Sequence, residues 1–136
     1  MAIANRAEPP EKAKVLTLDQ RRAADAWRCA QGQDKEYVNL AKGLPALIMN
    51  SGLLQVMAFL EEKGRTERQR HCALLGGHLR AWLHNRYHDV PETFGGFMTA
   101  LMKSDPRTFQ AVTAESLAWV RWLRQLAAAA FDRSGP

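Results

Sequence analysis

Valine and isoleucine are few and scattered in these 136 residues, and no stretch alternates apolar and polar side chains with period two. A sheet protein is therefore not expected. There are only two cysteines, Cys29 and Cys72, far apart and with no CxxC pair, so the chain has no disulfide framework and nothing calls for an oxidising compartment. Both read as small core residues. No apolar run approaches the roughly 20 residues needed to span a bilayer. The densest, residues 53–60, reads as a short buried helix. Residues 1–15 are polar, with Pro9-Pro10 and alternating charges, and lack the apolar segment of a signal peptide. They are expected to form a flexible tail on a cytoplasmic protein. P-loop, GxGxxG, GxSxG and HExxH motifs are all missing. The expectation is a binding module with no cofactor, not an enzyme.

What is present is apolar content at helical spacing. Hydrophobic residues make up 46% of the chain, too many for a disordered protein, and the length suits one domain. Residues 17–20, Thr-Leu-Asp-Gln, form a capping box before a helix with the stripe Ala23, Trp27 and Ala30, ended by Gly32. Asp34 caps a second helix carrying Tyr37, Leu40, Leu44, Leu47 and Ile48. Pro45 removes an amide donor, so a kink or break is expected near residues 41–43. Asn50-Ser51-Gly52 stops this helix, and a third, over residues 53–62, is apolar on nearly every face except Gln55. Such a helix is central or covered by a partner.

A second capping box, Thr66 to Gln69, is read as the start of a fourth helix with Leu74, Leu75, Leu79, Trp82 and Leu83 buried. Gly76-Gly77 within it suggests close approach of another helix. Residues 92–103 read as a fifth helix. Ser104-Asp105-Pro106 is read as capping a short turn, and Thr113 as capping the last helix, residues 114–131. The reading is an all-α, compact bundle of about six helices in a single domain over residues 16–132, with a C-terminal tail at 133–136.

Two groupings bear on chemistry. His84 and His88 are spaced i, i+4, a metal-ligand spacing, with Asp89, His78 or Cys72 as conceivable further ligands. They equally suit a solvated helix end, and the four-ligand spacing of a structural site is missing, so no metal is expected. Glu61 and Glu62 are adjacent, and their side chains diverge on a helix. The stronger signal is charge. The net charge is +5, with 13 Arg against 6 Lys, and the guanidinium fork suits phosphate. Local basic sets could give salt-sensitive, sequence-independent contacts.

Residues 37–63 are distinctive: Tyr-Val-Asn-Leu-Ala-Lys-Gly-Leu-Pro-Ala-Leu-Ile-Met-Asn-Ser-Gly-Leu-Leu-Gln-Val-Met-Ala-Phe-Leu-Glu-Glu-Lys. The segment resembles the small subunit, the fifth Cmr protein, of the type III-B CRISPR–Cmr effector complex. The opening helix (residues 20–27), the Lys-x-Leu-Pro helix, the Asn-x-Gly-Leu turn, the Ala-Phe-Leu-x-x-Lys ending and a tryptophan-rich last helix (residues 117–126) carry the likeness. The resemblance implies an all-α, non-catalytic subunit that stacks with copies of itself and other Cmr subunits in antiviral defence. It also implies contact with guide and target RNA. No fixed motif marks the RNA-facing positions, so Arg21, Arg22, Lys42, Lys63, Arg65 and Arg68 are the nucleic-acid-binding candidates. Two further readings are a helix-turn-helix DNA regulator around residues 50–52 and a metal-dependent hydrolase using His84, His88 and Asp89.

Overall fold

The computed structural model describes residues 15–131. The tails expected over residues 1–15 and 133–136 lie, apart from Val15, outside the described residues. Six helices follow in order: α1 (Leu18–Ala30), α2 (Lys35–Ser51), α3 (Leu53–Lys63), α4 (Arg70–Arg86), α5 (Phe94–Lys103) and α6 (Pro106–Ala130), with a 3-10 turn Glu67–Gln69 before α4. No strand occurs among the described residues, and the chain is a single all-α domain.

The ends of these helices follow from local chemistry. The Gln20 amide donates to the Thr17 hydroxyl at 3.0 Å and the Gln20 side chain accepts from the Thr17 amide at 2.8 Å, completing the capping box of α1. Asp34 caps α2 through the Tyr37 amide at 2.9 Å. Gly52 joins α2 to α3 at φ 86°, a conformation that L side chains rarely adopt, while its amide closes α2 onto the Ile48 carbonyl at 2.8 Å. Without a glycine here the two helices of the distinctive segment could not be joined by a single residue.

Several elements depart from expectation. α2 runs unbroken through Pro45. The carbonyl that loses its donor is that of Ala41; the next one, of Lys42, accepts from Arg124 Nε of α6 at 3.1 Å, which ties this turn to the last helix. The second capping box does not form: Thr66 makes no side-chain cap, the chain passes through the 3-10 turn, and α4 starts only at Arg70. The last helix starts at Pro106, not 114. Asp105 caps it through the Thr108 amide at 2.8 Å, Pro106 occupies the first turn, and nothing between there and Thr113 interrupts it. Thr113 lies mid-helix with its hydroxyl oxygen buried and without a partner among the described residues.

Twenty-five residues long, α6 is the axis of the bundle. It packs on α1, α2 and α4; α3 packs on α2 and α4, and α5 closes over α3 and α4. Tyr37, Leu44, Met57, Leu79, Phe97 and Trp119 are fully buried between them. Cys29 and Cys72 are buried free thiols, as small core residues are. Leu74, placed in the core by spacing, is 46% exposed.

The expected close approach also sits elsewhere. A Cβ added at Gly76 would lie 3.5 Å from the nearest atom, in Leu60, which is ordinary contact. A Cβ at Gly64 would overlap the backbone nitrogen and Cβ of Ala73, where α4 turns back against the end of α3. Gly64→Ala is therefore expected to cost about 1–3 kcal/mol by overpacking. Gly76→Ala should gain up to about 1 kcal/mol in helix propensity. Thermal denaturation of the two variants checks the opposite signs.

Candidate nucleic-acid interface

The six cations singled out from the sequence fall into two chemically different groups. Arg22 is committed internally. Its Nε and Nη2 each donate to the Glu115 carboxylate at 2.8 Å, a bidentate fork, and Nη1 lies 3.3 Å from Asp19. Glu115 is 3% exposed and also accepts from the Trp82 indole at 2.9 Å, with Arg86 Nε at 3.4 Å. Burial pushes the Glu115 carboxyl up. Hydrogen bonds from Arg22 and Trp82 and the charges of Arg22 and Arg86 outweigh this and hold it below the usual carboxylate range. Helices α1, α4 and α6 are thus joined at one buried carboxylate, and Arg22 has little left to offer a phosphate.

The other five make no ion pair among the described residues. Lys63 ends α3, half-buried, with its ammonium 5.8 Å from the centre of the Phe59 ring. Arg65 and Arg68 follow in the exposed turn to α4, beside Arg70, which pairs with Glu67 at 2.9 Å. These residues form a cationic corner, shared with the carboxylates of Glu61, Glu62 and Glu67. Arg21 is exposed on α1, its Nη2 3.5 Å from Asn85 near the end of α4. The corner lies at the other end of α4, and the span from residue 70 to 85 is about 22 Å at 1.5 Å per residue. Lys42 is exposed midway along α2. The structure therefore brings Lys63, Arg65 and Arg68 together and leaves Arg21 and Lys42 apart from them.

The tryptophans also divide. Trp82 donates to Glu115, Trp119 to Asp25 at 3.0 Å and Trp122 to Asp19 at 2.9 Å. Trp27, read as core from its place on an apolar stripe, is 47% exposed. Its stripe lies on the flank of α1, whose inward face is Ala26, Cys29 and Ala30.

The remaining groupings take other forms. α4 ends at Arg86, so His88 lies beyond the helix, yet its ring still meets that of His84 edge-on with centroids 6.1 Å apart. His84 Nδ1 is 2.8 Å from the Val90 carbonyl. No group of three or more His, Cys, Asp or Glu side chains among the described residues is placed to hold a metal ion. A recognition helix following Gly52 would be α3, which buries Leu53, Val56, Met57 and Leu60 and presents Gln55, Ala58, Phe59 and Glu62 outward. That outward face has no cation before Lys63. Leu47, Ser51, Gln55, Val56 and Phe59 line a shallow groove of about 160 Å³ between α2 and α3. No helix among the described residues is long and apolar enough to cross a membrane.

One half-buried histidine ties charge to stability. His78 Nδ1 and the Tyr37 hydroxyl share a hydrogen bond at 2.8 Å. Burial, with Arg28 adding to it and Asp25 opposing, holds the His78 ring below the ordinary value of 6.5. The unfolded chain therefore takes up a proton before the folded one does, so stability is full above about pH 7 and falls as the pH drops through 6.5. The fall levels off below the folded value. Melting temperatures between pH 7.5 and 5.5 should show this slope, at most about 1.4 kcal/mol per pH unit, and His78→Gln should flatten it.

The family model described as CRISPR-associated protein (Cas_Cmr5) matches residues 18–130, from the first residue of α1 to the last of α6. The fold is similar to the crystal structure of a CRISPR-associated Cmr5 family protein from Thermus thermophilus, with a TM-score of 0.64. That likeness covers 84% of this chain and 93% of that chain at 23% identity. With its whole helical domain matched, the chain belongs to the CRISPR-associated Cmr5 family.

Proposed function

We propose that this chain is the non-catalytic small subunit of a type III-B CRISPR effector complex, the Cmr complex, in the cytoplasm. In this reading it stacks with copies of itself and with other Cmr subunits beside the guide RNA, and its surface lines the groove that accepts target RNA. Family membership gives the setting. The observation that supports the RNA contact is that five of the six candidates, Arg21, Lys42, Lys63, Arg65 and Arg68, make no ion pair among the described residues, a property they share with Lys35, Lys103, Arg107, Arg121 and Arg124. A cation already paired with a carboxylate must give that up to meet a phosphate; these five need not. Such contacts are sequence-independent and release counterions, so affinity falls steeply with salt. The single chain offers few of them, so its binding is weak and strengthens when copies align their cations along one strand.

The test is fluorescence anisotropy of a labelled single-stranded RNA, with the isolated chain and with the Cmr assembly reconstituted with and without it, between 50 and 200 mM salt. Weak, salt-dependent binding by the chain and tighter target-RNA binding by the complete assembly are expected. Indifference to RNA at low salt in both forms would sink the reading, and preference for a specific duplex DNA would favour a regulator instead.

A further inference from the structure

Three of the four tryptophans have their indole N–H taken up by a carboxylate on another helix: Glu115, Asp25 and Asp19. Trp27 is the exception. Its ring is 47% exposed, and no acceptor meets its N–H among the described residues. It stands on the outer side of α1 with Gln20, Ala24 and Gln31, all exposed, along the same stripe. Trp27 is not part of the hydrophobic core, toward which α1 turns Ala26, Cys29 and Ala30.

The electrostatics beside it favour an anion. Arg28 follows directly and its side chain is 70% exposed, although Nη2 lies 2.6 Å from Asp25. Arg21 is exposed and makes no ion pair among the described residues. The two arginines are seven residues apart on one stripe, about 10 Å along the helix. Asp25, the nearest carboxylate, is already held between Arg28 and the Trp119 indole. Trp27 lies about 100° round α1 from the stripe that carries Arg21 and Arg28, so a strand crossing the helix can stack a base on the ring while the cations meet its phosphates.

We propose that Trp27 is a stacking platform for one base of a single-stranded RNA, with Arg21 holding one flanking phosphate and Arg28 another in exchange for its pairing with Asp25. The proposal rests on the reading that this chain contacts RNA, and it places a second contact away from the cationic corner. Stacking on an indole is indifferent to base identity, so the site tolerates any target sequence.

The test uses the full 136-residue chain and a labelled 20-nucleotide oligouridine at 50 mM salt. Trp27→Ala should weaken binding roughly tenfold, and Trp27→Phe, which keeps a stacking face, should recover most of it. Stacking neutralises no phosphate, so Trp27→Ala should leave the salt dependence unchanged, whereas Arg21→Ala and Arg28→Ala should each lower the slope of log K against log salt by about 0.7. Equal affinity of Trp27→Ala and the parent would overturn the platform while leaving RNA binding by the corner intact. Unchanged RNA affinity with lost assembly on sedimentation would also overturn it, by showing that Trp27 meets protein. Absence of RNA binding by the parent chain and by its assembly would remove the functional reading and the platform together.

Discussion

Replacing Glu115 with alanine is expected to lower the stability of the fold by about 3–5 kcal/mol, a fall in melting temperature of about 10–20 °C for a domain of this size. The residue is 3% exposed and meets Arg22, Trp82 and Arg86 at once. Removing it leaves the Trp82 indole N–H and the Arg22 guanidinium without their acceptor, and Arg86, whose Nε makes only a 3.4 Å ion pair, without its counter-charge. Leaving buried donors unsatisfied costs more than an intact pair contributes. Arg22 and Arg86 are partly exposed, at 20% and 24%, so each recovers some hydration and the lower half of the range applies if both rotate outward. Glu115→Gln keeps an acceptor for Trp82 and should cost less. Thermal or urea denaturation at neutral pH measures both. A loss under about 1 kcal/mol for the alanine variant would mean that the three donors find water easily and that the cluster does not join the helices. Acid should act on the same group. Its folded value is depressed, so its contribution is present above the unfolded carboxylate value of 4.5 and is lost as the pH falls through the folded one.

The Glu115 cluster also shows where the sequence stops being readable. Arg22 and Glu115 are 93 positions apart, and nothing local to either residue announces the pair. Read alone, Arg21 and Arg22 are equivalent cations at the start of a helix; one faces a buried carboxylate and the other faces solvent. The tryptophans make the same point. Trp27, Trp82, Trp119 and Trp122 all occupy positions of helical spacing, and only the carboxylate brought by another helix separates the three that are held from the one that is not. By contrast, the ends of α1 and α2 were legible, because a capping box and an N-cap aspartate act over three residues. Thr66 had the same four-residue pattern, yet the tight contact of Gly64 with Ala73 sets how the chain turns there, and the cap does not form. The family resemblance of residues 37–63 was legible for a related reason. Its Lys-x-Leu-Pro helix, Gly52 turn and apolar α3 are tied to backbone geometry, which local sequence specifies, and the family match over residues 18–130 agrees with it.

The cationic corner yields the largest functional effect. Changing Lys63, Arg65 and Arg68 together to alanine is expected to weaken single-stranded RNA binding by roughly 100-fold at 0.1 M salt: each phosphate contact on a single strand contributes a slope of about 0.7, or about fivefold in affinity at that concentration. The same substitution should lower the slope of log K against log salt by about 2. Stability should change little, since Arg65 and Arg68 are exposed and none of the three makes an ion pair among the described residues. Lys63→Ala gives up only its place over the Phe59 ring, about 0.5–1 kcal/mol. Titrations at several salt concentrations, with circular dichroism to establish the fold, separate the two effects. A triple variant that folds and keeps both the affinity and the slope of the parent would show that these cations only solvate the turn. RNA contact would then have to come from α1 or from Lys42. A slope lowered by about 2 with a residual affinity that still depends on Trp27 would instead show two separate contacts, one at the corner and one on α1.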